Sequence, residues 1–240
     1  MSETVVFIPA WNEEDNLPDV LAALHARMPD IDVLVVDDGS TDRTAEIARE
    51  HGAEVLSLGS NRGLRVGIAA GYGWALEHGY EYCGRVDADG QHPPEELVRL
   101  LELVRGDECD VAVGSRFVAG EGYPAYRYTP SGPRRFGTAV LRRAMAVALR
   151  RPFGDATSGL YAVNRKALPV LSVPYTSRAP EVEALIRVVD AGLRLEEVPV
   201  NMAERASGES KLRGSKAVKL VLTVAGTIAV AAWARRKRRG

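Results

Sequence analysis

The chain has 240 residues, 46% hydrophobic and 26% charged, enough for one large domain or two small ones with an ordinary core. Its formal net charge is −1, but five basic residues crowd into the tail ARRKRRG, leaving 26 basic against 32 acidic residues elsewhere, about −6. A nucleic-acid partner would call for positive charge over a whole face, so none is expected, and two cysteines, Cys83 and Cys109, form neither a disulfide framework nor a CxxC pair. TVVFI at 4–8 reads as a strand, and Leu17, Val20, Leu21 and Leu24 follow with helical spacing. DVLVV at 32–36 is the next strand, and a second helix starts near DGSTD and stops at Gly52. AEVLSL and YCGRV bracket a third helix ending at Gly79, and these Val-rich runs are expected of strands buried on both faces. Pro93, Pro94, Glu95 and Glu96 open a helix with Leu97, Leu100, Leu101 and Val104 as its stripe, before DVAVG at 110–114.

Residues 121–135, rich in Gly, Pro and Tyr, read as a long loop, and RRFGTAVLRRAMAVALR as a basic amphipathic helix. SGLYAV is a strand, and PEVEALIRVVDAG a helix with Val182, Leu185, Ile186 and Val189 on one face. LRLEEVPV is an edge strand, since Pro199 cannot donate to a ladder. Such strand–helix alternation implies an α/β fold with a mainly parallel central sheet flanked by helices. MSETVVFIPAWNEE has no basic region followed by an apolar run, so no signal peptide is expected and the compartment reads as cytoplasmic.

Ligands of such a sheet bind beyond the carboxyl ends of its strands. The first strand ends in PAWNEE, and neither G-x-G-x-x-G nor a P-loop pattern occurs, which removes the main support for dinucleotide or P-loop chemistry. VVDDGSTD offers acids that could meet a ribose or base edge, or could merely form a turn and a helix cap between Asp37 and Asp42. RVDADGQHPPEE places Asp87 and Asp89 at a third strand end. Along an extended segment, one of these carboxylates is expected to take a hard cation and the other to address a sugar or ribose, with Gln91 adding a carbonyl oxygen.

VFIPAWNEEDNLPDVL, VLVVDDGSTDRT, NRGLRVGIAAGYGWAL, RVDADGQHPPEEL, VAVGSRF, SGLYAVNR and VPVNMAERASGESKL occur in the order and spacing of family 2 glycosyltransferases. The chain resembles most the polyprenyl-phosphate (dolichyl-phosphate) mannose and glucose synthases, from about Val5 to Leu220. The resemblance implies a GT-A, Rossmann-like fold, an NDP-sugar donor such as GDP-mannose or UDP-glucose, Mg²⁺ or Mn²⁺, and a polyprenyl phosphate acceptor. It places Pro9, Trp11 and Glu13 around the nucleotide, Val36 and Asp38 at the base, and Asp87, Ala88, Asp89 and Gln91 at the metal and diphosphate, with Asp87, Asp89 and Gln91 as metal ligands. It puts Arg116 near the donor phosphates, and Arg205 and Lys211 at the two cations of the lipid-phosphate subgroup. The expected catalytic set is Asp89, Arg116, Arg205, Lys211 and Glu181. A phosphate acceptor attacks without a protein base, whereas a hydroxyl acceptor would need Glu181 or Glu183. Departures from the subgroup are TSRAPEVEALIR on the acceptor side and Gly159–Leu160 where Phe and Arg are frequent. A non-catalytic GT-A-like partner subunit is the reading from another class.

The expected division is a GT-A domain over 1–213 and a C-terminal apolar and basic helix over 214–240. The uncharged run Leu220–Ala234 is 15 residues, about 22 Å as a helix and short of a ~30 Å hydrocarbon core. Trp233 and the basic residues after it suit a membrane interface, which implies a peripheral protein at the cytoplasmic face; the same helix would suit a homodimer.

Overall fold

The computed structural model describes residues 2–123, 143, 145–203 and 226. Its elements are β1 (Thr4–Ala10), α1 (Leu17–Arg27), β2 (Asp32–Asp37), α2 (Thr44–Glu50), β3 (Glu54–Ser57), α3 (Leu64–Glu77) and β4 (Tyr82–Arg85). There follow α4 (Pro94–Arg105), β5 (Val111–Ser115), β6 (Tyr161–Asn164), α5 (Leu168–Leu171), α6 (Pro180–Asp190) and β7 (Leu195–Pro199). The strands form one sheet in the order β3-β2-β1-β4-β6-β5-β7. Every pairing is parallel except those of β6, which runs antiparallel to both β4 and β5.

Both faces of the sheet are covered, and alternate residues of each strand supply the two cores. Val5, Phe7, Leu34 and Val36 face α3, α5 and α6, while Val6, Ile8, Val33 and Val35 face α1, α2 and α4. Burial on both sides is why these strands read as continuous apolar runs. At Gly71 the helix α3 lies directly on Phe7, whose ring an added Cβ would approach to 2.3 Å. The expected edge position of β7 holds. β3 departs from its expected double burial: it is the opposite edge strand, and Glu54 and Ser57 are exposed.

Cys83 and Cys109, which the sequence leaves without a disulfide framework, are both free and buried. Of the basic helix expected at 134–150, residues 145–149 are helical; most of the loop 121–135 and nearly all of 204–240 lie outside the described residues. That remainder includes Arg205, Lys211 and all of the apolar run except Gly226. Among the described residues no helix is long and apolar enough to cross a membrane.

Candidate functional site

Because β1, β2, β4, β5 and β7 are mutually parallel and β6 is reversed, one edge of the sheet collects their carboxyl ends and the start of β6. Trp11 and Glu13, Asp38, Asp87, Arg116 and Asn201 follow those strand ends, and Gly159 precedes β6. Most of the residues singled out in the sequence therefore converge on one rim.

Pro9 and Val36 are paired across β1 and β2. Trp11 is 47% exposed, and the Glu13 carboxylate accepts from Asn16 Nδ2 at 2.8 Å. Of the two readings of VVDDGSTD, the turn describes Asp37 and Asp42. Asp37 accepts from the Ser40 amide at 2.9 Å, and Asp42 from the Thr44 amide at 3.0 Å, just before α2. Asp38 does something else: its two oxygens accept from the amides of Arg62 and Gly63 at 2.6 and 2.7 Å, tying β2 to the start of α3. Gly39 keeps these loops together, since its φ of +71° is a glycine conformation and an added Cβ would meet the Ser60 backbone at 2.4 Å.

The acidic pair does not lie along an extended segment as expected. β4 stops at Arg85, and the chain turns at 88–90, with Gly90 at φ +72°. The Asp89 carboxylate accepts from the Gln91 amide at 3.2 Å, so Asp87 and Asp89 belong to a turn. Ala88 is buried beneath them. The Asp87 amide donates to Nδ1 of His92 at 3.0 Å, which requires that nitrogen to be unprotonated, and burial pushes the His92 pKa down. Gln91 is held from the far side of the sheet, its carbonyl accepting from the Ala203 amide at 3.0 Å. The Asn201 amide donates to buried Glu96 at 3.1 Å, so the chain leaving β7 is delivered to this turn two residues before Arg205.

Sequence reasoning missed Arg85. Its guanidinium, 2% exposed, lies 3.2 Å from Asp87 Oδ1 and 3.3 Å from Glu181 Oε1. Burial works against its charge, but Asp87 and Glu181 outweigh it and push the pKa up. On Glu181 burial is the larger effect and pushes the carboxyl upward, with Arg85 opposing. Glu181 also lines a cleft of about 450 Å³ with Gly63, Leu64, Arg65, Arg178 and Pro180. Glu183 is committed elsewhere, accepting from the Thr176 and Ser177 amides at 3.0 and 2.7 Å and pairing with Arg187 at 2.6 Å.

Arg116 is held by a two-pronged pair with the fully buried Asp155, at 2.7 and 3.0 Å. Asp155 is held in turn: the amides of Gly154 and Asp155 both donate to Glu197 of β7 at 2.8 Å. Among the described residues no group of three or more His, Cys, Asp or Glu side chains forms a metal cage. The donor set still fits Mg²⁺ or Mn²⁺, hard cations that take one or two carboxylates and complete their shell with water and substrate phosphates.

The model of glycosyl transferase family 2 matches residues 5–170. The chain belongs to this family. Among the relatives of this glycosyltransferase, the polyprenol monophosphomannose synthase of Mycolicibacterium smegmatis is 33% identical, covering 92% of this chain and 85% of the relative. The undecaprenyl-phosphate mannosyltransferase of Micrococcus luteus is 34% identical, covering 95% of each. The glucosyl-3-phosphoglycerate synthase of Mycobacterium tuberculosis, solved with Mn²⁺, UDP and glucosyl-3-phosphoglycerate, superposes with a TM-score of 0.66. It is 22% identical and covers 95% of this chain and 79% of that one, a likeness that shows the GT-A-like fold.

Proposed function

We propose that this glycosyltransferase moves a hexose, mannose or glucose, from a nucleoside diphosphate to polyprenyl phosphate with inversion. The observation that carries the reading is the acidic turn 87–91, fixed at the carboxyl edge beside Arg85 and Arg116. The activities for which the Mycolicibacterium and Micrococcus relatives are named support the acceptor, and the solved neighbour with Mn²⁺ and UDP supports a divalent cation. Asp89, with Asp87 and Gln91, would hold that cation, which when bound neutralises the charge growing on the departing diphosphate. Asp38 and Val36 would border the base, with Pro9, Trp11 and Glu13 around the nucleotide and Ala88 flooring the turn. Arg116, pre-aligned by Asp155, adds fixed positive charge, as would Arg205 and Lys211. The acceptor phosphate is already an anion, so no protein base is required. The C-terminal segment would hold the enzyme peripherally at the cytoplasmic face of the membrane.

A hydroxyl acceptor is the second reading, favoured by one observation: Glu181 lines the cleft with its pKa raised by burial. Incubation with radiolabelled GDP-mannose or UDP-glucose, polyprenyl phosphate and Mg²⁺ or Mn²⁺ tests the first. Metal-dependent label in the organic-extractable lipid is expected; hydrolysis of donor with an unlabelled lipid fraction would transfer the case to a hydroxyl acceptor.

A further inference from the structure

Arg85 is an unusual residue to find inside β4. Its neighbours along the strand, Cys83 and Gly84, are buried, and its partner strand places Tyr161 directly opposite, with the guanidinium 5.7 Å from that ring. A buried cation of this kind is costly unless fully satisfied, and this one is not. Arg85 Nε is buried with no hydrogen-bond partner, as are the hydroxyls of Tyr161 and Tyr175. An apolar side chain in the same space would stabilise the fold as well or better. The arginine is therefore explained by what it does to its neighbours rather than by what it adds to stability.

What it does is visible in the geometry around Asp87. The carboxylate is constrained from three directions: Arg85 takes Oδ1 at 3.2 Å, His92 takes the backbone amide, and Gly159 lies against the carboxylate with no room for a side chain. Arg85 is 2% exposed and Asp87 37%, so the guanidinium sits behind a carboxylate that reaches the rim. Glu181, from the first turn of α6, meets the same guanidinium nitrogen and balances the second half of its charge environment.

We infer that Arg85 is a positioning residue that fixes the Asp87 carboxylate for the metal–nucleotide complex, with Glu181 as its counter-ion and not as a general base. This rests on the acidic turn being the donor site. It also removes the base that a hydroxyl acceptor would need and so favours an acceptor that arrives as an anion.

The test is calorimetric titration of the full chain with Mn²⁺ plus GDP or UDP, alongside thermal unfolding and donor turnover, for wild type, Arg85→Met, Glu181→Gln and the Arg85→Met/Glu181→Gln double variant. The single Arg85→Met leaves two acids facing each other and loses stability. The double variant removes the buried charges together and unfolds near the wild-type temperature, yet binds the metal–nucleotide complex roughly 10–100-fold more weakly, as loss of an orienting partner does. Glu181→Gln leaves the buried Arg85 charge to Asp87 alone, so it lowers the unfolding temperature and weakens metal–nucleotide binding less than the double variant, without the loss of turnover that removing a base would cause. Wild-type binding by the double variant would reduce the pair to a structural contact and overturn the inference. A loss of turnover of about 10²-fold or more in Glu181→Gln with nucleotide binding intact would make Glu181 a base and overturn it as well. If wild type itself binds neither nucleotide with metal, the donor-site reading falls first and takes this one with it.

Discussion

Gly159 and Asp87 show how little freedom the site leaves to a single carboxylate. A Cβ at Gly159 would lie 2.0 Å from Asp87 Oδ2, and because the clash falls on the end of a side chain, it is the carboxylate that would move. Gly159→Ala is expected to weaken metal-dependent nucleotide binding roughly 10–100-fold, as disturbance of a ligand's support does. The accompanying cost in folding stability is expected to be about 1–3 kcal/mol. Titration calorimetry and thermal unfolding of the same sample separate the two. Asp155 is the corresponding support for Arg116. Asp155→Asn leaves the cation without its buried partner, and is expected to cost about 3 kcal/mol of stability and to raise the donor KM. At this scale the sequence revealed the groups that face solvent chemistry and hid the ones that hold them. Asp87, Asp89 and Gln91 stand out because polar letters at a strand end are few. Arg85 and Glu181 are 96 positions apart, and nothing local to either reveals that they meet.

At the scale of elements, the strands and helices were legible because two-sided burial writes continuous apolar runs and one-sided burial writes stripes. Direction was not legible. SGLYAV carries the same period whichever way it runs, yet its reversal inserts β6 between β4 and β5 and brings Gly159 to the rim. The same local blindness explains the acidic pair, where the expected extended segment gave way to a turn at Gly90. The junction of β5, β6 and β7 yields a prediction about pH. Asp110 accepts from the side chain and amide of Arg194 at 3.2 and 2.9 Å and from Asn164 Nδ2 at 2.9 Å. The Arg194 hydrogen bond is the leading cause that holds its pKa far below the usual carboxylate range. A depressed folded-state pKa contributes stability that is present above the unfolded value, near 4, and is lost as pH falls toward the folded one. Asp110→Asn should therefore lower stability at pH 7 by about 2–3 kcal/mol and flatten the loss between about pH 4 and 2. Urea titrations across that range check both.

At the scale of the whole molecule, the chain closes on itself at one rim. β1, β2, β4 and β5 each deliver a candidate site residue there, and the segment after β7 returns through Asn201 and Ala203 to Glu96 and Gln91. Two residues on stands Arg205, followed by Lys211 and then the apolar run and basic tail. The sequence read that arrangement only through its family resemblance, since spacing alone says nothing of which strand ends share a rim. For the tail, charge gives the prediction: each Lys or Arg near an anionic bilayer contributes about 1 kcal/mol, weakened by salt. Replacing the five basic residues after Ala234 with Gln should strongly reduce co-sedimentation with phosphatidylserine vesicles at low salt while leaving nucleotide binding unchanged. Equal sedimentation of both forms would assign the tail another role.

The central claim is that the turn from Asp87 to Gln91 binds a nucleoside diphosphate through a divalent cation. Titration of GDP and UDP into wild type and Asp89→Asn, with Mn²⁺ and with EDTA, tests it most directly. Wild type is expected to bind at least one nucleotide with Mn²⁺, and EDTA or the substitution to abolish that binding. Equal binding in EDTA, or by Asp89→Asn, would contradict it.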